Sequence, residues 1–141
     1  MAPDNEPYVL LAEDNFPEVN LFQIALREAK IEAPLKIVNT GPEVLDFLHA
    51  RGVYAYRNPA HFPQLLILDL NLPMLSGIDV LDVLRADSRF SDLPIIIFTS
   101  SERSKDNREA IAHGANDFLK KPIDFPDFLN SVKEMYDRWV N

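Results

Sequence analysis

The sequence predicts an α/β protein with a doubly wound, five-stranded parallel sheet. Five short runs that are apolar on both faces alternate with longer amphipathic segments, a pattern typical of buried parallel strands joined by helices. Right-handed crossovers would place those helices on both faces of the sheet. The 141 residues suit one domain, and we expect residues 1–6 to form an N-terminal tail and residues 7–141 the domain. The five runs are Tyr8–Ala12, Leu35–Val38, Leu65–Leu68, Pro94–Phe98 and Asn116–Leu119.

The first two helices have start signals in the sequence. Asn15 can cap a helix that has Pro17 near its first turn, because an Asn side chain at this position accepts a hydrogen bond from a free backbone N–H. The stretch Thr40–Glu43 is typical of a capping box with proline at the first helical position. Apolar residues at helical spacing follow both signals.

The other three helices are also marked. Gly77 precedes the third helix, and Asp106 or a nearby residue begins the fourth. Gly114 is expected to end that helix in a left-handed conformation. Asp124 can cap the fifth helix, whose apolar residues recur at helical spacing up to Trp139.

One long irregular segment runs from Arg51 to Gln64 and contains Gly52, Pro59 and Pro63. Loops of this length are uncommon inside compact domains unless they have a function. We expect a surface loop that closes over the sheet edge, with a partner-contact loop as the alternative.

Composition excludes several classes of function. The net charge of −8, from 22 acidic and 14 basic residues, argues against nucleic-acid binding, which needs Lys and Arg to neutralise phosphates. The chain has no cysteine, which excludes disulfides and thiolate metal sites. Its apolar runs are far shorter than a membrane span, and no secretory signal is visible. We therefore expect a cytoplasmic protein with neither a membrane nor a nucleic-acid partner.

Chemically distinctive side chains follow four of the predicted strands. Glu13 and Asp14 come after the first, Asp69 after the third, Thr99 at the end of the fourth and Lys121 after the fifth. The carboxyl ends of parallel strands meet at the sheet edge where ligands bind, so we expect these side chains to converge. Three carboxylates in one place repel one another unless a cation neutralises them. Oxygen ligands without His or Cys indicate a hard ion such as Mg²⁺.

Asp69 is the candidate nucleophile. A carboxylate held by Mg²⁺ and Lys121 can attack phosphorus and form an acyl phosphate, while both cations stabilise charge on the transferring oxygens. Each residue alone has an ordinary explanation, since Asp14 could be a helix cap, Asp69 a turn residue and Lys121 a solvated loop lysine. Their joint placement at successive strand ends carries the functional interpretation.

Taken together, these motifs resemble the receiver domains of bacterial response regulators, over residues 7–139. The resemblance implies a (βα)5 flavodoxin-like receiver fold and a phosphorylatable switch. Leu72 and Ser76 depart from common family residues without touching the chemistry, and Glu13 replaces a commoner Asp but can still reach a metal through water. The shared motifs are Leu11–Asn15, Leu68–Pro73 with Gly77, Phe98–Ser100 and Phe118–Pro122.

The resemblance also implies a role for each residue of the site. Asp69 is the phosphoacceptor. Asp14, Asp69 and the backbone carbonyl of Asn71 bind Mg²⁺ directly, and Glu13 acts mainly through water. Lys121 pairs with Asp69 and then with the phosphoryl group.

Further implied roles concern switching and turnover. Thr99 hydrogen-bonds the phosphoryl oxygen, and Phe118 is the rotating aromatic that couples the site to the face formed by the fourth helix, the fifth strand and the fifth helix. Asn71 and Ser101 tune dephosphorylation. The peptide bond between Lys121 and Pro122 is expected to be cis, which the X–Pro linkage permits.

The resemblance implies that a histidine kinase supplies the phosphoryl group. We expect a stand-alone, single-domain regulator that is not an enzyme, since no output domain follows Asn141. The Glu13–Asn15 motif and the long segment before the third strand resemble regulators that partner bacterial phytochrome histidine kinases. A chemotaxis-type regulator and a phosphorelay shuttle are the alternatives.

We also expect a homodimer that uses the C-terminal helix. Tyr136 and Trp139 lie beyond the residues that one apolar stripe against the sheet requires, and such aromatics are typical interface anchors. The alternative is that Trp139 folds back on its own domain.

Two other classes of protein share part of the pattern. A Mg²⁺-dependent phosphohydrolase of the haloacid-dehalogenase type also uses an Asp nucleophile, but it needs an acid two residues later, where this chain has Asn71. A flavodoxin-like electron carrier needs a hydroxyl- and glycine-rich phosphate loop after the first strand. Glu13 and Asp14 at that position would repel the flavin phosphate.

Overall fold

The computed structural model describes residues 6–100 and 104–140, except for the side chains of residues 104 and 105. The strands are β1 (Val9–Ala12), β2 (Leu35–Val38), β3 (Leu65–Leu68), β4 (Ile95–Thr99) and β5 (Asp117–Lys120). The helices are α1 (Phe16–Glu28), α2 (Gly41–His49), α3 (Gly77–Arg85), α4 (Ser104–Ala112) and α5 (Phe125–Trp139). All strand pairs are parallel, in the order β2-β1-β3-β4-β5, which confirms the predicted fold class.

Helices cover both faces of the sheet because the strands are apolar on both sides. Successive strand residues point to opposite faces, so Val9 and Leu11 pack with α1 and α5, whereas Leu10 and Ala12 pack with α2, α3 and α4. Every residue of β1, β3 and β4 is buried. The carboxyl ends of these strands therefore form a rim that rests on two apolar layers.

Side-chain caps start the helices where the sequence predicts them. The Asn15 side chain accepts a hydrogen bond from the Glu18 backbone N–H (3.0 Å), Thr40 accepts one from Glu43 (3.1 Å), and Asp124 caps α5. The Glu43 carboxylate does not complete a reciprocal capping box; it accepts a hydrogen bond from the backbone N–H of Asn39, the residue before the cap (2.6 Å).

Glycine is required where α3 begins. A Cβ at Gly77 would lie 2.5 Å from the backbone oxygen of Asp69, which is closer than two such atoms can approach, and the Gly77 N–H donates to Leu70 O at 2.9 Å. The start of α3 is thus pressed against the loop that carries Asp69. Gly114, after α4, has φ +110°, as expected for a left-handed helix end.

The segment 51–64 is a surface loop that packs on α2 and on the start of β1. The Arg57 guanidinium lies 3.9 Å from the centroid of the Phe47 ring, and it donates to the Tyr8 hydroxyl (2.7 Å) and the His61 carbonyl (2.8 Å). The His61 ring contacts the carbonyl of Glu6, which belongs to the expected tail; residues 1–5 lie outside the described part of the chain.

No helix in residues 6–100 and 104–140 combines the length and apolar character needed to cross a membrane.

Candidate functional site

The site lies at the carboxyl ends of β1, β3, β4 and β5. Glu13, Asp69 and Lys121 each directly follow a strand, and Thr99 is the last residue of β4. Backbone hydrogen bonds continue past the strands: Asp69 N–H donates to Ala12 O (3.2 Å), and Lys121 N–H donates to Thr99 O (2.7 Å). The side chains that chemistry would use are therefore held by main-chain bonds and not by flexible loops.

Lys121 contacts all three carboxylates of the site. Its ammonium donates to Glu13, to Glu18 Oε2 at 2.8 Å and to Asp69 Oδ2 at 3.1 Å. An ammonium has three protons, so three carboxylates use its full donor capacity. The Lys121 side chain is only 8% exposed, and a buried charge persists only when it is paired in this way.

Both carboxylate oxygens of Asp69 have partners. Oδ1 accepts hydrogen bonds from the Thr99 hydroxyl (3.1 Å) and from the Asn71 backbone N–H (3.0 Å), and Oδ2 faces Lys121. The side chain is 9% exposed and lies at the carboxyl end of β3, the central strand of the sheet. The orientation of this carboxylate is therefore determined before any group binds.

Burial and neighbouring charges change the pKa values in opposite directions. Burial raises the pKa of Glu13 to about 7, against the lowering effect of Lys121. Burial also acts to raise the pKa of Asp69, but Lys121 and the Asn71 N–H outweigh it and hold that pKa below its ordinary value. Burial acts to lower the pKa of Lys121, yet Asp69 and the two glutamates keep it above the ordinary value. Lys121 and Asp69 are thus a charged pair at neutral pH.

The donor set suits a hard divalent cation. Oxygens of Glu13, Glu18 and Asp69 lie within 4.8 Å of one another. When all three carboxylates are ionised, the ammonium of Lys121 leaves them with a formal charge of −2. Oxygen ligands of this kind favour Mg²⁺ or a similar ion. Asp14 and Asn71, which were also expected at the metal, are exposed. The Asp14 carboxylate does not belong to this three-carboxylate group of the described residues.

Sequence reasoning did not single out Glu18. It lies in the first turn of α1, three residues after the Asn15 cap, and it therefore rises directly above the carboxyl end of β1. The signal was available, because a helix that starts two or three residues after a strand places its first-turn side chains over the sheet edge. An acidic residue in a first helical turn is also common without any further role, because it interacts favourably with the helix dipole.

The residues assigned to switching have different positions. Thr99 is fully buried and touches Asp69, whereas Phe118 is half-buried and packs against the core under α2, α3 and α4. Ser101 lies outside the described residues. The peptide bonds of the described residues are all trans, so the prediction of a cis bond between Lys121 and Pro122 is wrong. The trans form is the commoner one even before proline.

The two aromatic residues expected at a dimer interface lie against the protein's own core. Tyr136 is 3% exposed and packs 6.4 Å from Phe22 of α1, ring centroid to ring centroid. This burial counts against Tyr136 as an interface residue, because the side chain is needed to fill the space between α1 and α5. Trp139 is half-buried and packs partly against the same core.

A five-stranded parallel sheet in the order β2-β1-β3-β4-β5, with a lysine-bound aspartate at the carboxyl ends of its strands, is typical of signalling receiver domains. Residues 9–133 match the response regulator receiver domain family, and the chain belongs to that family. The protein is therefore a two-component response regulator, as the motifs predicted. The family is one of signalling receivers, which favours a receiver over the phosphohydrolase and the electron carrier.

The relatives include phytochrome response regulators. Response regulator Rcp1 of Synechocystis sp. is 28% identical over 142 residues, which cover 99% of this chain and 95% of Rcp1. The crystal structure of the phosphorylated cyanobacterial phytochrome response regulator RcpA has a TM-score of 0.87 at 26% identity and covers 96% of this chain and 95% of RcpA. Response regulator RPA3017, in red light signalling of R. palustris, has a TM-score of 0.88 at 33% identity and covers 96% and 94% of the two chains.

Proposed function

We propose that Asp69 accepts a phosphoryl group from a histidine kinase and thereby switches the protein between two states. The observation that carries this proposal is the arrangement around Asp69, with Lys121 on one oxygen and Thr99 on the other. Asp69 is ionised at neutral pH, since its pKa is held below the ordinary value. It is therefore the available nucleophile.

The transfer follows from these contacts. A carboxylate oxygen of Asp69 forms the new O–P bond as the N–P bond of phosphohistidine breaks, and the electron pair of that bond stays on the imidazole nitrogen. Lys121 and Thr99 then donate to phosphoryl oxygens, which places positive charge and a hydroxyl where negative charge develops. Both donors already contact Asp69 before the transfer.

A bound Mg²⁺ would offset the negative charge of the phosphoryl oxygens. We propose that Asp14, Asp69 and the Asn71 carbonyl hold it directly and that Glu13 acts through water. The three clustered carboxylates of the structure support a cation at this position, and a Mn²⁺-bound form of Rcp1 has been solved, with a TM-score of 0.84 to this chain at 27% identity, covering 96% of each chain.

We propose that Thr99 and Phe118 transmit phosphorylation to the face formed by α4, β5 and α5. A phosphoryl group would draw the Thr99 hydroxyl towards it, and the half-buried Phe118 would occupy the space released. Such a change is a population shift between two packings. Asn71 and Ser101 are proposed to tune dephosphorylation.

The kinase is proposed to be a phytochrome histidine kinase, because two of the similar structures are a phytochrome regulator and a red-light regulator. A chemotaxis-type or phosphorelay shuttle role is the alternative. The protein would act as a switch and not as an enzyme. Its charge of −8 supports a protein partner over a nucleic acid; the cytoplasmic location stays a prediction.

Labelling tests the assignment of Asp69. With acetyl phosphate and Mg²⁺, the wild type is expected to gain one phosphoryl group by intact-protein mass spectrometry, and Asp69→Asn none. Asp137→Asn, an exposed position on α5, is the matched control and should label like the wild type. Full labelling of Asp69→Asn would overturn the proposal.

The proposed partner is tested separately, by comparing phosphoryl transfer to this protein from a purified phytochrome histidine kinase with transfer from a chemotaxis kinase.

A further inference from the structure

We infer that Glu18 is a positioning residue that holds the ammonium of Lys121 in line with Asp69. This inference rests on the proposed function, because it concerns the lysine that would contact the phosphoryl group. Glu18 Oε2 lies 2.8 Å from Lys121 Nζ, which is shorter than the 3.1 Å between that nitrogen and Asp69 Oδ2.

The local structure keeps Glu18 in place. Its backbone N–H donates to the Asn15 side chain at 3.0 Å, so the capping bond that starts α1 also determines where the Glu18 side chain begins. The side chain is 36% exposed, whereas that of Glu13 is 4% exposed. Both glutamates contact the ammonium, Glu13 from a buried position and Glu18 from a position closer to solvent.

The cleft beneath Lys121 presents mainly apolar side chains to the ammonium in the described part of the chain. It is lined by the aromatic rings of Phe22, Phe98 and Phe128, and Nζ lies 5.9 Å from the centroid of the Phe98 ring. A lysine stem has four flexible carbons, and such a ring attracts the charge without giving it a directional hydrogen bond. The carboxylates thus supply the directional contacts that orient the ammonium.

Phosphorylation changes this set of partners. The contact of Lys121 with Asp69 would pass to a phosphoryl oxygen, and Glu13 is proposed to turn towards metal-bound water. Glu18 is then the partner that remains unchanged through the cycle. Without it, the ammonium is free to follow Glu13 or to turn to solvent, and its alignment with the phosphoryl group is lost.

Two substitutions separate positioning from charge. Glu18→Gln removes the negative charge but keeps an oxygen that accepts from Lys121, whereas Glu18→Ala removes both. Both variants are expected to weaken Mg²⁺ binding to a similar extent, because each loses one charge. Glu18→Ala is expected to bind beryllofluoride, an analogue of the phosphoryl group, about tenfold more weakly, which is the loss expected for one hydrogen bond to a charged group. Glu18→Gln is expected to recover most of that affinity.

Calorimetric titration with beryllofluoride at saturating Mg²⁺ tests the inference, with Glu28→Ala, an exposed glutamate of the same helix, as the control. Thermal unfolding of each variant checks that the fold is kept. Wild-type affinity in Glu18→Ala, or equal weakening in the Ala and Gln variants, would overturn the positioning role. Failure of the wild type itself to bind beryllofluoride would instead overturn the proposed function.

Discussion

Glu13 illustrates how burial changes a residue whose place in the sequence suggests an ordinary carboxylate. It follows β1 directly and is 3% exposed, and burial raises its pKa from 4.5 to about 7. Asp69, a few ångströms away in the same cluster, has a pKa below its ordinary value because Lys121 and the Asn71 N–H favour its charged form. Two carboxylates of one cluster therefore differ in protonation near neutral pH: Asp69 is ionised, whereas Glu13 can hold a proton.

The stability of the metal-free protein should fall as the pH rises from about 5 to about 7.5. The folded pKa of Glu13 is raised above its unfolded value, so the folded state binds more protons in this window and loses that advantage as Glu13 ionises. The lowered pKa of Asp69 acts only at lower pH, and the raised pKa of Lys121 only at higher pH. Glu13→Gln should flatten the slope in urea unfolding, whereas Glu28→Gln should not. A slope unaffected by Glu13→Gln would contradict the raised pKa.

Tyr136 carries a buried hydroxyl that has no hydrogen-bond partner in the described part of the chain. Burial without a partner is unfavourable for a hydroxyl, so Tyr136→Phe should be neutral or should stabilise the protein by up to about 1 kcal/mol. Tyr8→Phe is the matched control, because the Tyr8 hydroxyl donates to His61 O at 2.8 Å and accepts from Arg57; it should destabilise by about 1 kcal/mol. Chemical denaturation measures both. A larger loss in Tyr136→Phe than in Tyr8→Phe would refute this account.

At the scale of elements, a chain of hydrogen bonds joins the segment 51–64 to the acidic end of β1. The Tyr54 hydroxyl donates to Glu43 of α2 (2.5 Å), the other Glu43 oxygen accepts from Asn39 N–H (2.6 Å), and the Asn39 side chain donates to the Glu13 carbonyl (3.0 Å). The loop after β2 thereby braces the backbone of a proposed metal-site residue. The segment 51–64 therefore not only covers α2 but also supports, through Tyr54, the backbone at Glu13.

Loss of the Tyr54 hydroxyl should weaken this brace. Tyr54→Phe is expected to destabilise the protein by about 1 kcal/mol, because it leaves the Glu43 oxygen with one partner fewer. Tyr56→Phe, two residues away and 81% exposed, should have no measurable effect. Urea unfolding gives the stabilities, and the amide NMR shift of Glu13 reports whether the change travels along the chain of bonds. Equal stabilities for the two variants would show that the brace contributes nothing.

For the molecule as a whole, the end of α5 is the region where the predicted homodimer would form. The core between α1 and α5 takes up Tyr136 fully but Trp139 only in part. The predicted homodimer would therefore depend on Trp139 and the surface around it, because Tyr136 is buried in the protein's own core.

A dimer that uses Trp139 should be visible in solution. Light scattering at tens of micromolar protein is expected to show a dimer of the wild type, measured with and without acetyl phosphate, and a monomer of Trp139→Ala, because a large aromatic side chain anchors such interfaces. Phe125→Ala, a half-buried aromatic at the other end of α5, is the control and should not change the oligomeric state. A wild-type monomer under both conditions would contradict the dimer and assign Trp139 to the core.

The fold class, the succession of strands and helices along the chain and the end of the sheet where the site lies could all be predicted from local features of the sequence. Leu35–Val38 and Leu65–Leu68 have the predicted bounds, the start of β1 and both ends of β4 and β5 move by one residue, and Asn15, Thr40 and Asp124 are the predicted caps. These features depend on local signals, namely runs of apolar residues and single capping side chains. They also depend on the general rule that parallel strands end at a common edge.

Three features of the molecule could be seen only in the folded structure. Glu18 joins Lys121 across more than a hundred residues of sequence, Tyr136 turns into the core against Phe22, and Glu13 is buried deeply enough to raise its pKa. Each outcome depends on the packing of two segments that are distant along the chain, and a pKa depends on the water and charges that such packing leaves around the group. Local sequence patterns do not give the distances between such segments or the depth to which a side chain is buried, because both arise only when the helices close over the sheet.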